Sequence, residues 1–264
     1  PQTVDPVMAY DWASAELIQN VYDPLVFFKG TGNDIIPWLA SSYSVSPDGL
    51  TYSFMIRTGV QWQNASYGNV TPADAEYSLK KLLVRDYTGG PAWMFWFPIF
   101  NQFTANDNGE LRNPPNAFTI AEGQAIDNAI TRDDAAGTVT IHFQTGKAYL
   151  AFLGILSMTL GSIMCKQWAA DNGDWPGTGL DDGSWVAYYN PAASPLDSPK
   201  YKMMGSGPFS FNYLIAGNSW SILRNTNFWG GWGTNRLNLL GFNGVTSRGY
   251  LDEIVEYFIS DYRL

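Results

Sequence analysis

The sequence has few charged side chains and almost no cysteine or histidine. Only 15% of its 264 residues are Asp, Glu, Lys or Arg, against about 25% in an average domain. The single cysteine, Cys165, excludes an internal disulfide, and with the single histidine, His142, it is too little for a His-rich zinc site. The net charge of -9 argues against a nucleic-acid partner and against docking on anionic lipid, because both need a basic face.

Motifs of catalysis are also missing. The sequence has no P-loop and no GxGxxG after a predicted strand, and Gly230-Gly231-Trp232-Gly233 has the wrong spacing for a phosphate cradle. A Ser-His-Asp device would depend on His142, which we predict to be solvated or bonded to a neighbour. The adjacent acids Asp133-Asp134 and Asp181-Asp182 lie in predicted loops, where such pairs are usually solvated turns. We therefore expect no catalytic residue, no metal site and no cofactor, and a binding function.

Apolar and aromatic side chains are abundant instead, at 45% and 16% of the residues, with 11 Trp. A chain of this length hides about three quarters of its unfolded surface, so we expect a sizeable core. The uncharged stretch 148–165, between Lys147 and Lys166, just reaches the length of a membrane span. Glycine and hydroxyl residues interrupt it, and we predict a buried helix or strand end followed by a turn, with no membrane insertion.

Capping residues and apolar spacing predict two helices. The first has Ser14 as its N-cap, and its apolar side chains follow at helical spacing: Leu17, Ile18, Val21, Tyr22 and Leu25. The second begins at Thr71-Pro72-Ala73-Asp74, which gives an N-cap, a proline at the first helical position and an acid at the third. Its apolar stripe leaves three charged side chains outside: Glu76, Lys80 and Lys81.

Alternating side chains predict strands between and after these helices. Following the turn Ser46-Pro47-Asp48-Gly49, one face of the first strand carries Tyr52, Phe54 and Ile56, which we expect in the core. Arg57 ends that strand and is predicted to form a structural ion pair. Further strands are predicted at 138–143, 209–213, 220–224 and 254–259, with a turn at 216–218. Residues 171–200, rich in Gly, Pro, Asp and Ser, are predicted to be a long loop.

The segment 39–82, LASSYSVSPDGLTYSFMIRTGVQWQNASYGNVTPADAEYSLKKL, carries a specific pattern. It resembles the solute-binding proteins of peptide/nickel-type ABC transporters, the bacterial extracellular solute-binding family 5. The matching residues are Ala40, Asp48, Gly49, Thr51, Tyr52, Phe54, Arg57, Thr71, Asp74, Tyr77 and Ser78. Four other stretches of the sequence resemble further motifs of the family, and they occur in the family's order. They are TVDP at 3–6, NVYDPLV at 20–26, GSGPFSFNYLIAGNSWSILRNTNFWGG at 205–231 and YLDEIVEYFISD at 250–261.

The resemblance implies an α/β fold of the periplasmic-binding-protein-like type II, a two-lobed binder that closes by a hinge. We expect the chain to be the first lobe only, with the second lobe missing. Residues 1–44 and 151–264 would form its mixed-sheet part, and residues 45–150 an inserted α+β subdomain. The chain begins at Pro1 without a Met or a signal peptide, so it is expected to be processed or trimmed.

The resemblance also implies where the ligand lies. In the family, the loop after the LDP motif follows the cleft, and here that loop is Ala9, Tyr10, Asp11, Trp12 and Ala13. A second segment, 91–97, follows the Thr71 helix, where relatives turn aromatic side chains into the pocket; the candidates are Trp93, Phe95 and Trp96. A buried core segment is the alternative for this stretch. The loop 157–161, which begins at Ser157, is also predicted to touch the cleft.

The function implied is an extracytoplasmic solute-binding subunit of an ABC importer, without enzymatic activity. Its partners would be a small solute, a peptide before an oligosaccharide, and the permease subunits. The protein would be located in the periplasm or at the cell surface, with a membrane anchor in a missing terminus. Three departures from the family pattern, 99–137, 174–204 and 235–249, leave the ligand class open. The alternatives are a secreted glycoside hydrolase or carbohydrate-binding protein, suggested by the Trp content and low charge, and a sensory receptor ectodomain.

Overall fold

The structure is a computed structural model that describes residues 1–101, 120–232 and 251–258. Its α-helices are α1 Trp12–Val21, α2 Pro72–Arg85, α3 Trp93–Phe100, α4 Ile120–Ala129, α5 Phe152–Leu156 and α6 Lys166–Asp171. Its strands are β1 Asp23–Pro24, β2 Val26–Phe28, β3 Ile35–Pro37, β4 Ala40–Val45, β5 Thr51–Ile56, β6 Ile130–Asp133, β7 Thr138–His142, β8 Ser162–Ile163, β9 Phe209–Ile215, β10 Ser219–Arg224 and β11 Glu253–Tyr257. A single buried hydrophobic cluster joins these elements.

The described residues form four antiparallel sheets: two have two strands, β1-β8 and β2-β3, one has three, and the largest has four in the order β4-β5-β7-β6. Tyr52, Phe54 and Ile56 all point into the core from β5, as their alternation predicted. The imidazole of His142, on β7, lies 3.5 and 3.4 Å from the hydroxyls of Thr51 and Thr131, which confirms that neighbours satisfy it. The sheet runs from Ala40 to His142, close to the predicted inserted subdomain 45–150, whose boundaries stay a prediction.

Arg57 does not form the predicted ion pair. Its Nε donates a hydrogen bond to the Trp38 carbonyl at 3.2 Å, and its guanidinium lies 4.6 Å from the centre of the Trp229 ring. Within the described part of the chain, no carboxylate forms a salt bridge with it. A cation–π contact replaces the ion pair because the neighbouring surface is aromatic.

The three-stranded sheet, β11-β10-β9, confirms the predicted hairpin. Strands β9 and β10 pair across the turn at 216–218, with a register shift between Ser221 and Ile222. Strand β11 pairs with β10 at Ser219↔Tyr257 and confirms the predicted last strand, whose final residue, Ile259, lies outside the described residues.

Helix α1 begins three residues earlier than predicted, because its N-cap is Asp11 and not Ser14. The Asp11 Oδ1 accepts a hydrogen bond from the Ser14 amide at 2.9 Å. Ser14 is buried, and its hydroxyl accepts a hydrogen bond from the amide of Gln2 at 2.9 Å. Both residue types are good N-caps, so local preference alone does not choose between them.

Helix α2 confirms its predicted start with a complete capping box. The Asp74 carboxylate accepts the Thr71 amide at 2.9 Å, and the Thr71 hydroxyl accepts the Asp74 amide at 3.4 Å. The expectation for its charged side chains needs correction, since Lys80 and Lys81 are buried. Lys81 is fully enclosed, and acids from other segments supply its partners.

The stretch 148–165 forms α5, a 3-10 turn at Thr159–Gly161 and strand β8, as expected for a buried helix followed by a turn. Among the described helices, none combines the length and apolar character of a membrane span. After α6, residues 172–208 contain only a 3-10 helix, Ser184–Tyr188, which agrees with the predicted long loop.

Candidate functional site

An open groove of about 340 Å³ lies beside the N-terminus of α1. Three segments that are distant in sequence line it: the loop leading into α1, the start of α3 and the turn after α5. The lining residues are Ala9, Tyr10, Asp11, Trp12, Ala15, Pro91, Met94, Met158, Thr159 and Leu160. Tertiary packing therefore brings residues 9–12 of the first candidate segment, 9–13, together with two apolar segments.

The side chains of this loop are unusually open for large aromatic groups. Trp12 is 93% exposed and Tyr10 is 53% exposed. Asp11 and Ala13 are both half-buried, but only Asp11 lines the groove. Exposed large aromatic side chains beside a concavity are typical of binding surfaces.

The second candidate segment, 91–97, divides between core and surface. Phe95 and Trp96 are buried, and the Phe95 ring lies 5.3 Å from that of Phe152. Trp93 is exposed but does not line the groove, where Met94 takes part instead. The structure thus places Phe95 and Trp96 in the core, the alternative noted for this stretch, because α3 can turn only one face outward.

Ser157 is buried outside the groove. Its hydroxyl donates a hydrogen bond to the Gly154 carbonyl at 2.6 Å and closes the end of α5. The next three residues, 158–160, line the groove. Sequence reasoning singles out neither Met94 nor Met158, although both belong to the predicted stretches 91–97 and 157–161. No polar face marks the outward side of α3, and no local signal distinguishes one residue of the turn from another.

A buried ion network holds the N-terminal segment beneath the groove. Lys81 Nζ lies 2.8 Å from Asp5 Oδ1 and 2.6 Å from Asp174 Oδ2, and the side chains of all three are fully buried. Arg85 also pairs with Asp174, and Ser194 donates a hydrogen bond to Asp5 at 2.7 Å. Two acids balance two bases, so each charge has a partner away from water.

Electrostatics in this network follow from burial and pairing. Burial raises the pKa of Asp174, but the nearby charges of Lys81 and Arg85 outweigh it and bring that pKa below its ordinary value. Burial, with the charge of Asp5, raises the pKa of the Tyr22 hydroxyl. The network therefore favours an ionised Asp174 and a neutral Tyr22.

The segment before the groove is fixed from both sides. Asp197 accepts the Thr3 hydroxyl at 2.7 Å and the Val4 amide at 2.8 Å. The amides of Met8 and Ala9 donate to the Asp5 carbonyl at 3.1 and 3.0 Å, which closes a turn just before Tyr10. The exposed loop at the groove therefore stands on a rigid base, which lowers the entropy lost when it binds a ligand.

The groove offers contact surface and one charge, and no group of nucleophile and base lines it. Within residues 1–101, 120–232 and 251–258, no cluster of three or more His, Cys, Asp or Glu could hold a metal ion. The buried Cys165 is no nucleophile at neutral pH, because burial raises the pKa of its thiol to about 11. This arrangement suits reversible binding.

Solved structures share this architecture over nearly the whole of the chain. The substrate-binding domain of an oligopeptide ABC transporter from Bacillus anthracis str. Ames matches 98% of this chain with a TM-score of 0.63 and 20% identity. The PBP AgaA from A.tumefacien R10, in complex with agropinic acid, matches 99% with a TM-score of 0.62 and 20% identity. The chain thus has the periplasmic-binding-protein-like type II fold that the resemblance implied, over 39% and 38% of those two structures.

A family model described as bacterial extracellular solute-binding proteins, family 5 Middle, matches residues 34–261, and the chain belongs to this family. Among curated relatives, Di/tripeptide-binding protein 1 of Pseudomonas aeruginosa (strain UCBPP-PA14) is 25% identical over 198 residues. That match covers 74% of this chain and 30% of the relative. The chain therefore spans about a third of the length of such relatives.

Proposed function

We propose that the chain belongs to an extracytoplasmic solute-binding subunit of an ABC importer, and that the groove is one wall of its ligand site. The observation that carries this proposal is the position of residues 9–12. They form the loop that the family resemblance assigns to the cleft, and they line an open groove with exposed aromatic side chains. The chain spans about a third of its relatives' length, and we place the second wall in the remaining part of the full-length protein.

A peptide is the proposed ligand. Support comes from the names of the relatives, which include di/tripeptide-binding and dipeptide-binding proteins. The wall itself is mainly apolar, with aromatic and thioether side chains that adapt to different peptide residues. The permease subunits as partners, and the periplasm or cell surface as location, follow from the same family and belong to the proposal.

Catalysis has no support in the described residues. The acid pairs that could have indicated a glycosidase serve as local turn caps. Asp133 accepts the Ala136 amide at 2.9 Å, and Asp182 accepts the Ser184 amide at 2.8 Å. We propose that the protein is a binder and not an enzyme.

Isothermal titration of the full gene product with di-, tri- and tetrapeptides, and with oligosaccharides of similar size, tests the proposal. We expect saturable peptide binding that the substitution Trp12→Ala weakens, because that side chain lines the wall and supports no core. The matched control is Trp93→Ala, an exposed tryptophan outside the groove. Binding of oligosaccharides alone, or peptide binding insensitive to Trp12→Ala, would contradict the proposal.

A further inference from the structure

The lining of the groove has a one-sided charge. Nine of its ten residues are uncharged: Ala9, Tyr10, Trp12, Ala15, Pro91, Met94, Met158, Thr159 and Leu160. The tenth is Asp11, and no Lys, Arg or His from the described residues lines the groove. A ligand carboxylate placed against this wall would find no cation to pair with.

The charge of Asp11 is fixed in place by its role as N-cap. Its Oδ1 accepts the Ser14 amide at 2.9 Å, whereas its Oδ2 has no hydrogen-bond donor among the described residues. The N-terminus of α1 contributes a partial positive charge of about half a unit, so it offsets only part of the carboxylate. Asp11, whose Oδ2 is buried, therefore leaves part of its negative charge at the groove.

Two neighbouring acids lie outside the groove's lining. Glu16 on α1 contacts Glu256 on β11, where burial and the nearby Glu16 raise the pKa of Glu256 and the charge of the N-terminal ammonium group opposes them. The buried bases closest in the network, Lys81 and Arg85, are already paired with Asp5 and Asp174. No free cation from that network reaches the wall.

We propose that this groove is a charge-selective subsite for one side chain of a bound peptide. It accepts apolar and basic residues and discriminates against acidic ones. Apolar side chains pack on the thioethers of Met94 and Met158, and a basic side chain gains both the Asp11 charge and the exposed face of Trp12. This inference rests on the proposed function and adds the chemistry of the preferred residue.

The substitution Asp11→Asn separates charge from structure. Asparagine caps helices as well as aspartate, so α1 keeps its N-cap while the groove loses its only charge. The exposed positive end of α1 would then favour an acidic residue. Glu16→Gln is the matched control, since it removes a nearby carboxylate that does not line the groove.

The test measures binding of tripeptides to the full gene product by calorimetry. Each probe is an alanine tripeptide in which one residue is replaced by Leu, Lys or Glu. The three positions give three sets of peptides, and one of these sets places the replaced residue in the groove. We expect the Glu peptide of that set to bind the wild type weakest. Asp11→Asn should improve the affinity for Glu relative to Lys by about fivefold or more, the value of one close charge pair in water.

Three results would overturn the inference. The first is a wild type that prefers the Glu peptide at every position, and the second is an Asp11→Asn ratio equal to that of Glu16→Gln. The third is binding of no tripeptide at all, which would also remove the proposed function; the first two leave that function intact. If Asp11→Asn unfolds at lower temperature, Asp11→Ser provides a second neutral cap for the same comparison.

Discussion

The two aromatic segments of this chain, 10–12 and 93–97, look equally suited to a ligand but occupy opposite environments. In the first, Tyr10 and Trp12 stand in the open on a loop whose base is held by buried ions. In the second, Phe95 and Trp96 are buried in α3 and only the opposite side of the helix reaches the surface. The first segment, proposed as the ligand wall, is anchored through its backbone, whereas the second is anchored through its side chains.

The base of the first segment gives the largest expected effect. We expect Lys81→Met to lower the free energy of unfolding by about 4 kcal/mol, because it leaves Asp5 as an unpaired buried charge. Urea denaturation, monitored by tryptophan fluorescence, measures it. Lys147→Met, at an exposed lysine, is the control and should leave the midpoint unchanged. Equal midpoints for both variants would show that the ion network does not support this wall.

Removing one aromatic ring from each segment compares how much each ring contributes to stability. Phe95→Ala should lower the free energy of unfolding by about 3 kcal/mol, since it opens a cavity against Phe152. Trp12→Ala should change it by about 0.5 kcal/mol or less, because the side chain is exposed. The same urea titrations decide the matter, and a larger loss for Trp12→Ala than for Phe95→Ala would reverse the assignment of wall and core.

The smallest effect concerns the helix cap that borders the groove. Asp11→Ala should lower the free energy of unfolding by about 1 kcal/mol, because α1 loses the acceptor for the Ser14 amide. Asp11→Asn keeps an acceptor and should change stability much less. Thermal unfolding of both variants side by side is the measurement, and equal losses would mean that charge, not capping, is what Asp11 contributes to α1.

Sequence reasoning predicted elements whose signals are local. The capping box of α2, the alternation of β5 and the hairpin of β9 and β10 each follow from residues within a few positions of one another. The choice of Asp11 over Ser14 as N-cap was not local, because Ser14 is drawn inside to accept the Gln2 amide. The burial of Lys81 depends on acids 76 residues before it and 93 residues after it, which no helical period reveals.

The candidate site shows the same limit. The family pattern predicted the loop at 9–13, whereas α3 is apolar all round, so its sequence contains no polar face to show which side packs inward. The turn at 158–160 joins the groove only through tertiary packing. A site built from three distant segments is therefore predictable one segment at a time, and the contacts between segments come from the fold.

Hydroxyl-radical footprinting of the full gene product, with and without its bound peptide, tests directly whether this groove is the ligand wall. Two methionines of similar exposure form a matched pair: Met158, 43% exposed and lining the groove, and Met55, 40% exposed on β5 and outside it. We predict that the peptide protects Met158 and Trp12 from oxidation and leaves Met55 unchanged. Protection of Met55 without protection of Met158 or Trp12 would contradict the assignment of this groove as the ligand wall.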